Sequence, residues 1–283
     1  MLKLCIFLAV PLVCYGFLFG RDQSDWNGLK VTWGVNPFSS FISQPRTVSD
    51  AQRGHWQETN PGAACDANPK FLGHRYIKDN DMGVILIYDA NGYIAGIQLG
   101  FPRNFSPNTN NFPFAPLDGH PVITDGDNYF LTAYFVDPAT VCAGRTAGQF
   151  ASEGTGTGLW IQNGTDPVRD SITIPQRMSD ADASKWTKGA CFISMGVHYW
   201  YQISKGMNCD NFYPVFLLYN GGVLNGFGWA IGMDLKSYSS HIEHPPQSSY
   251  GNFMLETPDC LNAMGTLTTL HIYMTDSALA DTC

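Results

Sequence analysis

Residues 158–186, GLWIQNGTDPVRDSITIPQRMSDADASKW, repeat residues 28–56, GLKVTWGVNPFSSFISQPRTVSDAQRGHW, in the same order and without a gap. Identical positions include Gly34 and Gly164, Pro37 and Pro167, Pro45 and Pro175, Asp50 and Asp180, and Trp56 and Trp186. Unrelated segments of this length and average composition would agree at about two positions. The chain is therefore read as an internal duplication, and the pairing of the two stretches sets the register for the rest.

Working outward, each copy continues with the same succession of β signals. Lys30–Trp33 reads as a strand and Asn36-Pro37 as a turn, and Ser49 and Ser179 read as N-caps of short helices that end near Trp56 and Trp186. Both tryptophans are expected in the core. Next come a cysteine, Cys65 or Cys191, and a strand carrying a histidine, His74 or His198, which this alignment matches to each other, with Arg75 opposite Tyr199. Val84–Tyr88 and Val215–Tyr219 precede turn sequences, Asp89-Ala-Asn-Gly92 and Asn220-Gly-Gly222, of the kind that close β-hairpins because they tolerate positive φ. The return strands place Gly96 and Gly226 in register. Pro-rich loops at 102–121 and 238–258 lead to last strands at 131–137 and 270–276, then to Cys142 or Cys283. The expected fold is mainly β: two tandem homologous repeats, each a small antiparallel sheet or sandwich with one short helix, braced by disulfides. Residues 17–142 form the first repeat and 158–283 the second, joined by a Gly-, Ala-, Ser- and Thr-rich linker at 143–157.

Residues 1–16 have the pattern of a secretory signal peptide, a short apolar run ending at a small residue. Six cysteines follow it, an even number suited to an oxidising, extracellular setting. Matching the copies predicts Cys65–Cys142 and Cys191–Cys283, which leaves Cys209 to pair with Cys260. Sequons at Asn104 and Asn163 are candidate glycosylation sites. With 16 Lys and Arg against 24 Asp and Glu and no basic cluster, the chain is not expected to bind nucleic acid or to enter a membrane. It also lacks the GxSxG, HExxH and CxxC motifs of familiar hydrolases, zincins and thiol oxidoreductases.

Strand alternation selects the candidate site residues. In 191–203 the odd positions form the apolar row, so His198 points the other way, with Trp200. In 267–275 the even positions do so, and His271 points away beside Tyr273. His74, His198 and His271 are thus candidate metal ligands for Zn or Cu, or candidate general acids and bases. Trp200, Tyr199, Tyr219 and Trp229 are candidate ligand-binding aromatics. His241-Ile-Glu-His244 stops at Pro245-Pro246 and reads as a loop that could carry Glu243 or His244 to the mouth of a site. The acidic turns at Asp79–Asp81 and Asp125–Asp127 read as Asx-turns. Two functions remain open. One is a secreted protein binding a small molecule, a glycan or an extracellular protein in an aromatic and histidine-lined cleft between the repeats. The other is an extracellular enzyme of Zn or Cu oxidoreductase or lyase type.

Overall fold

The computed structural model describes residues 25–36, 38–104, 120–235 and 238–283. The segment read as a signal peptide and most of the first Pro-rich loop lie outside these residues. In the first copy β1 (Lys30–Val31) and β2 (Ile42–Ser43) precede α1 (Val48–Arg53), β3 (Gln57–Glu58), β4 (His74–Lys78), β5 (Asp81–Tyr88), β6 (Ile94–Pro102), β7 (Ile123–Asp125) and β8 (Asn128–Tyr134). A helix, α2 (Ala147–Glu153), separates them from β9 (Trp160–Gln162), β10 (Ser171–Thr173), α3 (Met178–Asp182), β11 (Trp186–Phe192), β12 (Gly196–Tyr201), β13 (Val215–Asn220), β14 (Val223–Ile231), α4 (Leu261–Met264) and β15 (Thr268–Tyr273).

The chain is mainly β, with two antiparallel sheets. The first runs β10-β9-β8-β6-β5-β4-β3 with β7 beside β8, and the second runs β11-β12-β13-β14-β15-β1-β2. Each copy therefore lends its opening strands to the sheet of the other. Lys30 and Val31 pair with Tyr273 and Ile272, while Trp160 and Ile161 pair with Tyr134 and Ala133. Each segment then returns to its own copy across the duplicated proline. The Tyr88 hydroxyl donates to the Pro45 carbonyl at 2.8 Å, and the Tyr219 hydroxyl donates to Pro175 at 2.6 Å. Backbone bonds are matched as well: Val48 N–H to Gly92 and Met178 N–H to Gly222, Ile94 N–H to Arg46 and Leu224 N–H to Gln176.

The space between the sheets is one core. Leu86, Ile97, Leu99 and Leu131 of the first sheet share it with Leu217, Phe227, Leu270 and Ile272 of the second, and both Trp56 and Trp186 are buried there. Alternation produces this inner layer, since Val215, Leu217 and Tyr219 face it while Phe216 and Leu218 face outward. The outward row is covered in turn by Tyr250, Met254, Leu261, Met264 and Leu267 from the loops around α4, so the second sheet is buried on both faces.

All three disulfides pair as the duplication requires: Cys65–Cys142, Cys191–Cys283 and Cys209–Cys260. Local details differ from the sequence reading. The N-cap of α1 is Thr47, whose hydroxyl accepts from Asp50 N–H, while α3 starts after Arg177 with no side-chain cap. Thr47 pairs with Tyr93 in a β-bridge, and this extended pose aims its hydroxyl at the first turn. The stretch between the copies is built rather than loose. A capping box of Thr146 and Gln149 starts α2 there, and the buried Arg145 guanidinium binds Asp89 at 3.1 Å. Its small residues had suggested only a spacer, because composition carries no record of the partners they pack against.

Candidate functional site

A cavity of about 280 Å³ opens on the outer face of the second sheet. Its floor is sheet: His198 and Trp200 from β12, Phe216 from β13, and Thr269 and His271 from β15. Its walls come from three loops, which supply Trp33 and Val35 after β1, Glu243 to Pro246, and Tyr250, Phe253 and Met254. Most of this lining is aromatic or aliphatic. The polar groups are few and converge on one side.

Glu243 is fixed from several directions. Its Oε1 accepts from Trp33 N–H, and its Oε2 accepts from the Thr269 hydroxyl at 3.1 Å and from His271 Nδ1 at 2.6 Å. Its own backbone pairs with Thr269 on β15, which locks the loop to the sheet edge. A carboxylate can only accept, so Nδ1 of His271 carries a proton in this pair, and Nε2 keeps its lone pair whenever the ring holds no second proton. His198 lies beside it, with ring centroids 6.4 Å apart. It is almost wholly buried, and its Nδ1 donates to the Ala190 carbonyl at 3.3 Å. Burial, with His271 adding to it, pushes the His198 pKa down to about 3, against hydrogen bonds to Ala190 and Gly196 that favour the charged ring.

Room for these rings comes from Gly228. It stands between Phe216 and His271 in the sheet register, and an added Cβ would run into the Phe216 ring. Without that atom the Phe216 and His271 centroids approach to 4.9 Å. In the first copy Gln98 and Thr132 take the places of Gly228 and His271, and the Gln98 amide donates to the Thr132 hydroxyl at 2.9 Å. The Arg75 guanidinium lies 5.0 Å from the Phe71 ring centre and 5.7 Å from that of Phe130, filling the corresponding outer face. Burial lowers its pKa.

The strand registers correct the sequence alignment by one residue. His74 pairs with Tyr88, but it is Val197 that pairs with the matched Tyr219, so the counterpart of His198 is Arg75 and that of Tyr199 is Tyr76. The ring pairs agree: Tyr76 meets Tyr88 edge-on as Tyr199 meets Tyr219. Gly73 and Gly196, at φ of 93° and 106°, start the two strands in a conformation that favours glycine and set this register. His74 consequently does not join the other two histidines. It lies on the first sheet with its Nδ1 2.8 Å from Glu58 and lines a separate depression. No group of three or more His, Cys, Asp or Glu side chains able to hold a metal occurs among the described residues.

Of the aromatics expected at a cleft, Trp200 lines the cavity, whereas Tyr199, Tyr219 and Trp229 are fully buried in the core between the sheets. The space between the repeats is filled, and the opening lies on the opposite face, where strand alternation turns His198 and Trp200. The 241–244 segment, read as a loop that could carry Glu243 or His244 to the mouth of a site, brings both to the lining of this cavity. Trp33, Tyr250, Phe253 and Gly228 were missed. The difference between Gln98 and Gly228 in the aligned copies was a legible signal for Gly228, and nothing comparable marked the other three. Asn104 is exposed, and Asn163 is half-buried with its Oδ1 accepting from the Tyr213 hydroxyl. No described helix is long and apolar enough to cross a membrane. Comparison of the chain with family models, with curated proteins and with solved structures gives no match.

Proposed function

We propose that this is a secreted binding protein whose ligand is a small molecule held in the cavity on the outer face of the second sheet. One observation carries the reading: a carboxylate-backed histidine, Glu243 with His271, sits in an otherwise apolar cavity. Cavities of this kind, with apolar walls and a few convergent polar groups, are the usual form of small-molecule sites, and about 280 Å³ lies at the small end of their range. The first copy supports the reading by contrast, because Arg75, Gln98 and Thr132 occupy the equivalent positions there. Three disulfides and the N-terminal sequence pattern favour an extracellular setting, with Asn104 and Asn163 as glycan sites.

Catalysis is the second reading, and the same pair favours it. A histidine oriented by a carboxylate is a common general base, here with the neutral His198 nearby. Binding is preferred because it needs nothing further from the site. The test is a thermal-shift screen of small apolar compounds against the wild type and Met254→Trp, whose larger ring intrudes on the cavity. Compounds that raise Tm in the wild type should have little effect on the variant, provided its near-UV circular dichroism shows a native core. Equal shifts in both proteins would place binding elsewhere and remove the proposal.

A further inference from the structure

We infer that the cavity selects ligands whose head group donates a hydrogen bond, an O–H or N–H on an aromatic or alicyclic body, and that it rejects anions. The inference rests on the small-molecule reading above and adds the ligand class. It follows from how the polar groups are used. Both Glu243 oxygens already accept, from Trp33 N–H, from the Thr269 hydroxyl and from His271 Nδ1. The Nε2 of His271 has no partner among the described residues, and in the neutral ring it is an acceptor. A ligand meeting this wall therefore finds a lone pair, and a donor completes it.

Charge points the same way. Among the described residues no Lys or Arg lines the cavity, while Glu243 places a carboxylate in its wall. His198 stays neutral inside the sheet and offers no compensating cation. His244, the remaining histidine of the lining, has its Nε2 turned to the Thr268 hydroxyl at 3.1 Å and to Asp234 at 3.8 Å. A carboxylate or sulfonate would thus surrender its hydration without gaining a partner. The aromatic rings of Trp33, Trp200, Phe216 and Phe253 suit a flat, apolar body.

Equilibrium dialysis of the intact protein at neutral pH with three matched probes tests this. 2-Naphthol donates, 2-methoxynaphthalene can only accept, and 2-naphthoate is an anion. 2-Naphthol should bind about 3- to 10-fold tighter than 2-methoxynaphthalene, the value of one net hydrogen bond, and 2-naphthoate should bind weakest. His271→Phe, which keeps a ring but removes the acceptor, should equalise 2-naphthol and 2-methoxynaphthalene. Glu243→Gln provides a second variant should that one fail to fold. By removing the negative charge it should raise the affinity for 2-naphthoate relative to 2-naphthol. Equal binding of 2-naphthol and 2-methoxynaphthalene to the wild type, or tightest binding of 2-naphthoate, overturns the ligand class and leaves the binding reading standing. Binding of none of the three overturns both.

Discussion

Tyr134 and Tyr273 hold matching positions on β8 and β15, yet their hydroxyls have different surroundings. That of Tyr134 accepts from Leu72 N–H at 3.0 Å, whereas that of Tyr273, equally buried, has no partner among the described residues. Removing a satisfied hydroxyl strands its partner, while removing an unsatisfied one relieves a desolvation penalty. Tyr134→Phe should therefore cost about 1 to 2 kcal/mol, and Tyr273→Phe should be neutral or stabilising by up to about 1 kcal/mol, as read from urea denaturation of each variant. A shared sign and size would show that the twin tyrosines do not differ in this way. A second residue-scale effect concerns pH. His198, pushed down to about 3 in the folded chain, binds a proton more readily when unfolded, so its contribution to stability is full above about pH 6.5 and falls as the pH drops. At pH 5 that loss is about 2 kcal/mol. Asp281 acts in the opposite sense. Burial raises it to about 6 against hydrogen bonds from Asn220 and Asn225, so the folded chain takes up its proton first and gains stability between about pH 6 and pH 4. In the wild type the two effects partly cancel. In His198→Phe the first is gone and the second remains, so the fall in urea midpoint from pH 7.5 to pH 5 should be smaller than in the wild type. A variant that loses stability on acidification as the wild type does would show that His198 does not set the acid limb.

Among the elements, the loops over the second sheet depend on a link the first copy lacks. Cys209–Cys260 joins the connection after β12 to the start of α4, next to Leu261, Met264 and Met254. Replacing both cysteines by serine should lower stability by about 2 to 4 kcal/mol. It should also weaken ligand binding more than the same change at Cys65 and Cys142, which lie away from the cavity. Equal loss of binding from the two changes would mean the link does not shape the site. This bond was legible because matching the copies left these two cysteines over, and the facing of His198 and His271 was legible from alternation alone. Other element-level features were not. The true counterpart of His198 depends on where Gly73 and Gly196 begin their strands, and an alignment that pairs histidine with histidine slides past that offset. The cavity walls come from irregular loops such as 250–254, where no periodicity reports which side chains point inward.

For the whole molecule, the exchange of opening strands decides what counts as a folding unit. The first sheet is completed by β9 and β10, the second by β1 and β2, and Trp26 donates to the Leu224 carbonyl of the other copy at 3.0 Å. Residues 25–142 and 158–283, produced separately, should each lack a cooperative unfolding transition and should recover native near-UV circular dichroism on mixing. Cooperative unfolding of either piece alone would show that the borrowed strands are dispensable. The duplication was plain in the sequence, but the exchange was not. Two like segments make the same contacts whether each joins its own sheet or its neighbour's, so the residue pattern is the same in both cases. The exchange also bears on how the protein is made. Synthesis runs from one end of the chain to the other, and β1 at residues 30–31 can be seated only once β15 at 268–273 has emerged from the ribosome. Until β15 is made, β1 can pair only with β2, and its other edge stays open.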